Sequence, residues 1–294
     1  MPLTKKVATA TIVIAMALSV SSCGAASGSD DDVVQIGVVS SGEPYWEKYT
    51  KAAAEAGIDV EIVGFSDYAQ PNPALSAGEL DLNQFQHIVY LAQYNVASSS
   101  NLTPIGSTAI YPLGLYSTKY DSVEQIPEGA TVAVPNDESN QARGLLVLQS
   151  AGLVTLKDGG GIFSNVNDVV ESESKVKVIS LNAAVTATSL PDVAAAIINN
   201  DFIADAGLDA EDTLAQDDPS DPNALPYVNI FAADEGEEDN KTYQKLVDIY
   251  HNTPAVVKGV KKASGGTAEI LNVPVKDLKK SLADVEADIE ANDG

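Results

Sequence analysis

The chain has 294 residues, with 42 acidic against 17 basic side chains and a formal net charge of −25. Such acidity argues against nucleic-acid binding and against docking on anionic lipid, both of which need clustered cations. Hydrophobic residues make up 45%, an ordinary globular share, and the single cysteine leaves no disulfide to support the fold.

From the N-terminus, Lys5 and Lys6 precede an uncharged apolar stretch, Val7 to Val20, and then Ser21, Ser22 and Cys23. This is the layout of a secretory signal over residues 1–22. Its apolar run is short of the roughly 20 residues that span a bilayer. A cysteine directly after small residues resembles the lipobox of bacterial lipoproteins, which predicts lipidation of Cys23 as the mature N-terminus. The alternative is an ordinary secreted protein with a leftover thiol. Gly24 to Asp32 is small, polar and acidic, so residues 23–32 read as a lipidated flexible tether.

Val33 to Val39 predicts a buried strand, Glu43 to Ala56 a helix ended by Gly57, and Ile58 to Phe65 a second strand. Together they form a βαβ unit, which implies a parallel sheet. A short helix over Asn72 to Gly78 and a longer one over His87 to Ala97 follow. Leu102 to Ile110 and Tyr111 to Ser117 read as extended. Ala130 to Val134 is a strand running into Pro135-Asn136-Asp137, followed by a helix from Ser139 to Ser150. Further strands are expected at Lys175 to Leu181, Val193 to Ile198 and Tyr227 to Ala232. Late helices are expected at Lys241 to Tyr250 and Lys276 to Ala291. Glu211 to Pro226, acidic and proline-rich, reads as a surface loop. The βα rhythm occurs twice, broken near Tyr111 and again near Asn229, so the fold class is α/β.

No catalytic constellation stands out. The two histidines, His87 and His251, form no H-E-x-x-H and no Cys/His cluster, so no metal site is expected. There is no G-x-S-x-G elbow, and Gly159 to Gly161 lacks the lysine and hydroxyl of a phosphate-binding loop.

Three features point to a small-molecule site instead. Arg143 is the only arginine. Its planar fork suits a carboxylate or phosphate where lysine would serve for solubility. It lies near the N-terminal end of its helix, which Asp137 or Ser139 could cap, and there the helix dipole also favours an anion. A surface ion pair is the competing explanation. The segment Phe65 to Tyr94 concentrates Tyr68, Phe85, His87, Tyr90 and Tyr94 in a chain that is only 6% aromatic. His87, Tyr90, Leu91 and Tyr94 share helical spacing, which suits either a pocket with polar tips or an amphipathic helix packed on its sheet. Asn199 falls at one strand's end and Asn229 within another. Ligands of open α/β sheets sit beyond strand carboxyl ends, where an asparagine can donate to a carboxylate and accept from an ammonium. Turn formation is the simpler role for each.

The motifs D-Y-x-x-P-N (67–72), F-Q-H-x-x-Y-L (85–91), V-P-N-D-x-x-N-x-x-R (134–143), I-N-N (198–200) and P-Y-V-N (226–229) occur in this order. Together they resemble the methionine-binding lipoproteins of the NlpA family, the substrate-binding components of methionine ABC importers. The resemblance runs from about Val33 to about Lys262. It implies a two-lobed periplasmic-binding-protein-like fold (type II) with the ligand cleft between the lobes. Residues 33–110 would form lobe 1, residues 111–228 lobe 2, and residues 229–294 would return to lobe 1 with C-terminal helices. Tyr68, Phe85, His87 and Tyr90 would come from the first lobe, Arg143 and Asn199 from the second, and Asn229 from near the crossover. Arg143 would clamp the α-carboxylate of L-methionine, with Asn199 and Asn229 fixing carboxylate and ammonium. Tyr68, Phe85 and Tyr90 would wrap the thioether, with His87 orienting a polar group or packing beside it. The implied protein is not an enzyme and needs no cofactor. It is a monomer anchored through lipid to the extracytoplasmic face of the cell membrane, delivering its ligand to a permease and its ATPase. Another small amino acid, or a methionine-containing dipeptide, is the alternative ligand; a lipid-anchored enzyme or adhesion protein is the alternative class.

Overall fold

The computed structural model describes residues 33–221 and 224–292, so the leader, Cys23 and the tether lie outside the described residues. β1 (Val33–Val38), α1 (Pro44–Glu55) and β2 (Asp59–Gly64) form the expected βαβ unit, with β1 and β2 parallel. Pro44 suits the first turn of α1, where no N–H is required, and the chain leaves the helix through Gly57 at φ +82°. Next come α2 (Pro71–Ser76), β3 (Leu82–His87), α3 (Ile88–Ser98), β4 (Thr103–Ser107) and β5 (Ala109–Ile110). The middle of the chain supplies β6 (Gly114–Tyr116), β7 (Thr131–Pro135), α4 (Glu138–Ser150), β8 (Lys177–Leu181), α5 (Ala183–Thr186), β9 (Ala195–Ile198) and β10 (Ala215–Gln216). The last part is β11 (Asn229–Ala233), α6 (Lys241–Asn252), α7 (Pro254–Ala263), β12 (Glu269–Ile270) and α8 (Val275–Asn292).

Two five-stranded sheets result, ordered β2-β1-β3-β11-β4 and β10-β6-β9-β7-β8. They follow one plan. In each, a central strand (β1 or β7) is flanked by two parallel partners, and an antiparallel strand (β11 or β6) sits beside one of them. Each sheet is the framework of one lobe. The chain crosses from the first to the second between β5 and β6 and returns between β10 and β11. The sheets are therefore mixed rather than parallel, because each crossing brings in a strand from the opposite direction.

Each face of the first lobe's sheet is covered by helices. Tyr45, Trp46 and Tyr49 of α1 pack with Phe231, Leu246, Tyr250 and Val256 on one side. Ile88 and Leu91 of α3 pack with Leu278, Leu282, Val285 and Ile289 of α8 on the other. In the second lobe Leu145 and Leu148 of α4 close over Val132, Val134 and Ile197.

Of the elements that escape the sequence reading, two bear on the site and its scaffold. β3 spans LNQFQH, whose six residues are all buried although four are polar. Two of its amides close a network with Asn72 of α2: Asn83 Nδ2 donates to Asn72 Oδ1 at 2.9 Å, Gln86 Nε2 to the same oxygen at 2.6 Å, and Asn72 Nδ2 to Gln86 Oε1 at 2.7 Å. This ladder carries polar residues in a central strand at no desolvation deficit. The pairing with β11 shifts register between Asn229↔His87 and Phe231↔Gln84, a bulge that re-aims the end of β3. His87 is the last residue of that strand and the cap of α3, so it does not ride on the helix face shared by Tyr90 and Tyr94. The second element is α7, whose Pro254 reads as a breaker but occupies the first turn of a new helix.

α8 accounts for the long acidic C-terminal segment. Its buried residues Leu278, Leu282, Val285 and Ile289 recur every three or four positions and dock on α3, while its charges face outward. Leu278 is fully buried, so Leu278→Ala should lower unfolding free energy by about 2–5 kcal/mol. Lys280→Ala, on the exposed face, should stay within about 0.5 kcal/mol of wild type. Denaturant titration of both variants checks this; equal effects would mean that the helix is not docked.

Candidate functional site

The carboxyl ends of the strands in both sheets meet at a cavity between the lobes. The sequence nominates seven residues for a ligand site, and all seven line it: Tyr68, Phe85, His87, Tyr90, Arg143, Asn199 and Asn229. Five arrive from a strand end or from the loop beside one, and Tyr90 and Arg143 from the first two turns of α3 and α4. Tyr68 sits in the loop between β2 and α2. Phe85 and His87 end β3, Asn199 directly follows β9, and Asn229 opens β11. The enclosed space is about 20 Å³, room for about one water.

Arg143 is 7% exposed and held on three sides. Its Nε pairs with Asp217 Oδ2 at 2.5 Å, its Nη2 donates to the Tyr111 carbonyl at 2.8 Å, and its guanidinium lies 4.6 Å from the centre of the Tyr227 ring. The last contact is a cation–π stack. Asp137 is the cap of α4, accepting from Asn140 N at 3.0 Å, which places Arg143 in the second turn of the helix.

A hydrogen-bonded chain runs from that cap across the cleft. Asn140 Nδ2 donates to Asp137 Oδ1 at 2.8 Å, and Asn140 Oδ1 accepts from Asn199 Nδ2 at 2.9 Å. On the first lobe, His87 Nδ1 accepts from the Tyr90 amide at 3.2 Å. The ring proton is thereby placed on Nε2, which faces Asn140 Oδ1 at 3.4 Å. Burial, reinforced by the positive charge of Arg143, pushes the His87 imidazole down to about 3, so the ring is neutral. With its Nδ2 engaged, Asn199 keeps a buried Oδ1 that has no hydrogen-bond partner among the described residues. A lone buried acceptor at a cavity wall is a place for a donor.

The apolar side of the cavity is a cluster of rings. Tyr68 lies 5.8 Å from Phe85, 6.2 Å from Tyr90 and 5.1 Å from Phe202, centroid to centroid. Phe202 belongs to the second lobe, so this cluster spans the cleft. Two hydrogen bonds from neighbouring residues reinforce the crossing: Tyr68 Oη donates to Asp201 Oδ2 at 2.6 Å, and Asn182 Nδ2 donates to Asp67 Oδ2 at 2.6 Å. Burial pushes the Asp201 carboxyl up to about 6, against the opposing hydrogen bonds from Tyr68 and Ser40. The lobes are thus closed on one another.

Sequence reasoning missed Asn140, Phe202, Asp201 and Asp217. Asn140 carries a signal, since it stands inside the V-P-N-D-x-x-N-x-x-R motif, and Phe202 follows the same strand end as Asn199. Asp201 and Asp217 carry none among 42 acids. The stretch containing Asp217, read as a surface loop, supplies β10 and the partner of Arg143. Tyr227, expected in a strand, sits in a tight turn (Leu225–Tyr227) that swings its ring under the guanidinium. Among the described residues, no group of acids and histidines could hold a metal ion, and no helix is long and apolar enough to cross a membrane.

The arrangement has known counterparts. The family model for the NlpA lipoprotein matches residues 34–271. The D-methionine-binding lipoprotein MetQ of Yersinia pestis is 37% identical over 241 residues, 80% of this chain and 88% of the relative. Among solved structures, a nutrient binding protein from Burkholderia cenocepacia bound to methionine superposes with a TM-score of 0.74 at 36% identity, covering 81% of this chain and 99% of that one. The substrate binding protein of a methionine transporter from Streptococcus pneumoniae gives 0.75 at 34%, covering 81% and 95%. By sequence and by its two-lobed fold, this chain belongs to the NlpA lipoprotein family.

Proposed function

We propose that this chain is a lipid-anchored extracytoplasmic solute-binding protein that captures methionine and delivers it to an ABC importer. The observation that carries the reading is the convergence, in one interlobe cavity, of a guanidinium, an unpartnered amide oxygen and a ring cluster. Arg143 supplies donors for the α-carboxylate, and Asn199 Oδ1 is an acceptor for the ammonium. The Asn229 amide makes no side-chain hydrogen bond among the described residues and is available to either group. Tyr68, Phe85, Tyr90 and Phe202 surround the side-chain end, where sulfur–aromatic contacts contribute about 0.3–1.5 kcal/mol each. Neutral His87 orients the polar chain without adding charge.

A methionine needs far more room than about 20 Å³, so the lobes open to admit it and close around it. The interlobe bonds of Asp67, Tyr68 and His87 are then contacts that break and re-form. Titration calorimetry with L-methionine, D-methionine, other amino acids and Gly-Met separates methionine from the alternative ligands named above. Failure to bind any of them would sink the receptor reading.

Arg143→Lys and Asn229→Ala should each weaken methionine binding at least about tenfold, ~1.4 kcal/mol, with the fold intact by circular dichroism. Lysine lacks the fork, and alanine leaves a ligand group unmet. Wild-type affinity in both variants would reject these roles.

Cys23 lies outside the described residues, and the anchor is tested directly. Cys23→Ser should bind methionine as wild type does but leave the membrane fraction for the soluble one. Retention on membranes would count against lipid anchoring.

Two buried groups at the cleft titrate with opposite signs. His87 is held below its ordinary 6.5, so its contribution is present above that value and is lost as pH falls from there toward about 3. Asp201 is held above its ordinary 3.8, so its contribution is full below that value and is lost as pH rises through about 6. Between pH 7 and 5 the histidine loss, roughly 2 kcal/mol, is partly offset by the Asp201 gain. Asp201→Asn removes the offset, so its melting temperature should fall more steeply than that of wild type across this range. An unchanged slope would take Asp201 out of the balance.

A further inference from the structure

We propose that Asp217 is a positioning residue: it orients Arg143 for the ligand's carboxylate and fastens that guanidinium to both chain crossings between the lobes. The inference rests on the receptor reading for the identity of the ligand, but its geometry stands apart from it. Asp217 Oδ2 takes the Nε side of the guanidinium at 2.5 Å, and its Oδ1 accepts from the Leu113 amide at 2.8 Å. Leu113 and Tyr111, whose carbonyl takes Nη2 at 2.8 Å, lie in the first crossing, between β5 and β6. Asp217 itself and Tyr227, whose ring stacks on the guanidinium, lie in the second crossing, between β10 and β11.

One arginine is therefore bound to both connections about which the lobes must turn. The Nε edge and one side of Nη2 are engaged, whereas Nη1 has no partner among the described residues. The end of the fork, formed by Nη1 and the remaining N–H of Nη2, stays available for a two-pronged bond to a carboxylate. A guanidinium free to rotate about its side chain would present that end only part of the time. Pinning it beforehand lowers the ordering cost of binding. A competing effect has the opposite sign, because a second carboxylate close to the site repels the ligand's own. The proposal requires orientation to outweigh repulsion.

The test uses Asp217→Asn in the full chain. The amide oxygen can still accept from Leu113, so a purely structural role is kept, whereas the charge facing Nε is removed. Because Arg143 is the only arginine, its Nε–H gives one assignable nitrogen–proton correlation in an NMR spectrum. In wild type that signal should be visible at neutral pH and slow to exchange with water. In the variant it should move and exchange faster, and methionine affinity should fall about tenfold or more. Unchanged or tighter binding would overturn the proposal, and so would weaker binding with the Arg143 signal unmoved. If wild type itself binds no methionine, the receptor reading fails, and the Nε signal still decides whether Asp217 holds the arginine.

Discussion

A guanidinium taken out of water in a strongly acidic protein is the constraint around which the rest is arranged. Arg143 is nearly buried, and a buried cation is tolerated only where its hydrogen bonds and charge are met. Its partners come from two stretches far apart in sequence: the Tyr111 carbonyl from one, the Asp217 carboxylate and the Tyr227 ring from the other. All three belong to the two connections between the lobes. The arginine can be satisfied only if both lobes are folded and both connections are in place. Site and architecture are one constraint here, rather than a site added to a finished scaffold.

The sheets supply the remaining geometry. Two sheets of the same plan aim strand ends at a common space, and each end delivers one polar group: His87 from β3, Asn199 after β9, Asn229 at β11. At β3 the delivery needs an irregularity. The bulge opposite β11 resets the side-chain alternation just before His87, so Gln86 joins Asn83 in bonding to Asn72 while Phe85, Gln86 and His87 all border the cavity. The ladder and bulge are thus linked. A strand with four polar residues stays buried because the amides pair, and pairing fixes which residues face the ligand space.

Much of this is legible in the chain alone, for a definable reason. Arg143 stands out because it is unique, and Asn199 and Asn229 because strand ends can be read from β-branched runs. The aromatic segment stands out because aromatics are scarce. What stays hidden depends on pairing between distant residues. LNQFQH shows no strand signal in its sequence, and only the fold shows Asn83 and Gln86 meeting Asn72 of α2. Asp217 is one acid among 42 until the fold sets it against the only arginine. Likewise Pro254 marks a break by local rules, and only the packing of Val256 and Val260 on α1 shows that a helix starts there. Local signals identify residue types suited to a role, and tertiary contacts select among them.

Charge explains why so acidic a chain should use these particular groups. At the cavity, Arg143 is already balanced by Asp217, and burial holds His87 neutral and draws Asp201 toward its protonated form. The charge of the guanidinium is thus met locally, although the protein carries −25. A net anion would meet the acidic surface on approach, and a net cation would meet the fixed guanidinium inside. A zwitterion meets neither penalty, because a guanidinium fork and an unpartnered amide oxygen offer one place for each of its two charges. Were Asn199 an aspartate instead, it would grip an ammonium more strongly. It would also lose the N–H that now reaches Asn140 Oδ1, setting two acceptors against each other beside neutral His87. An amide at that position offers an acceptor without adding a charge beside the histidine, which favours selection by shape and dipole over selection by net charge.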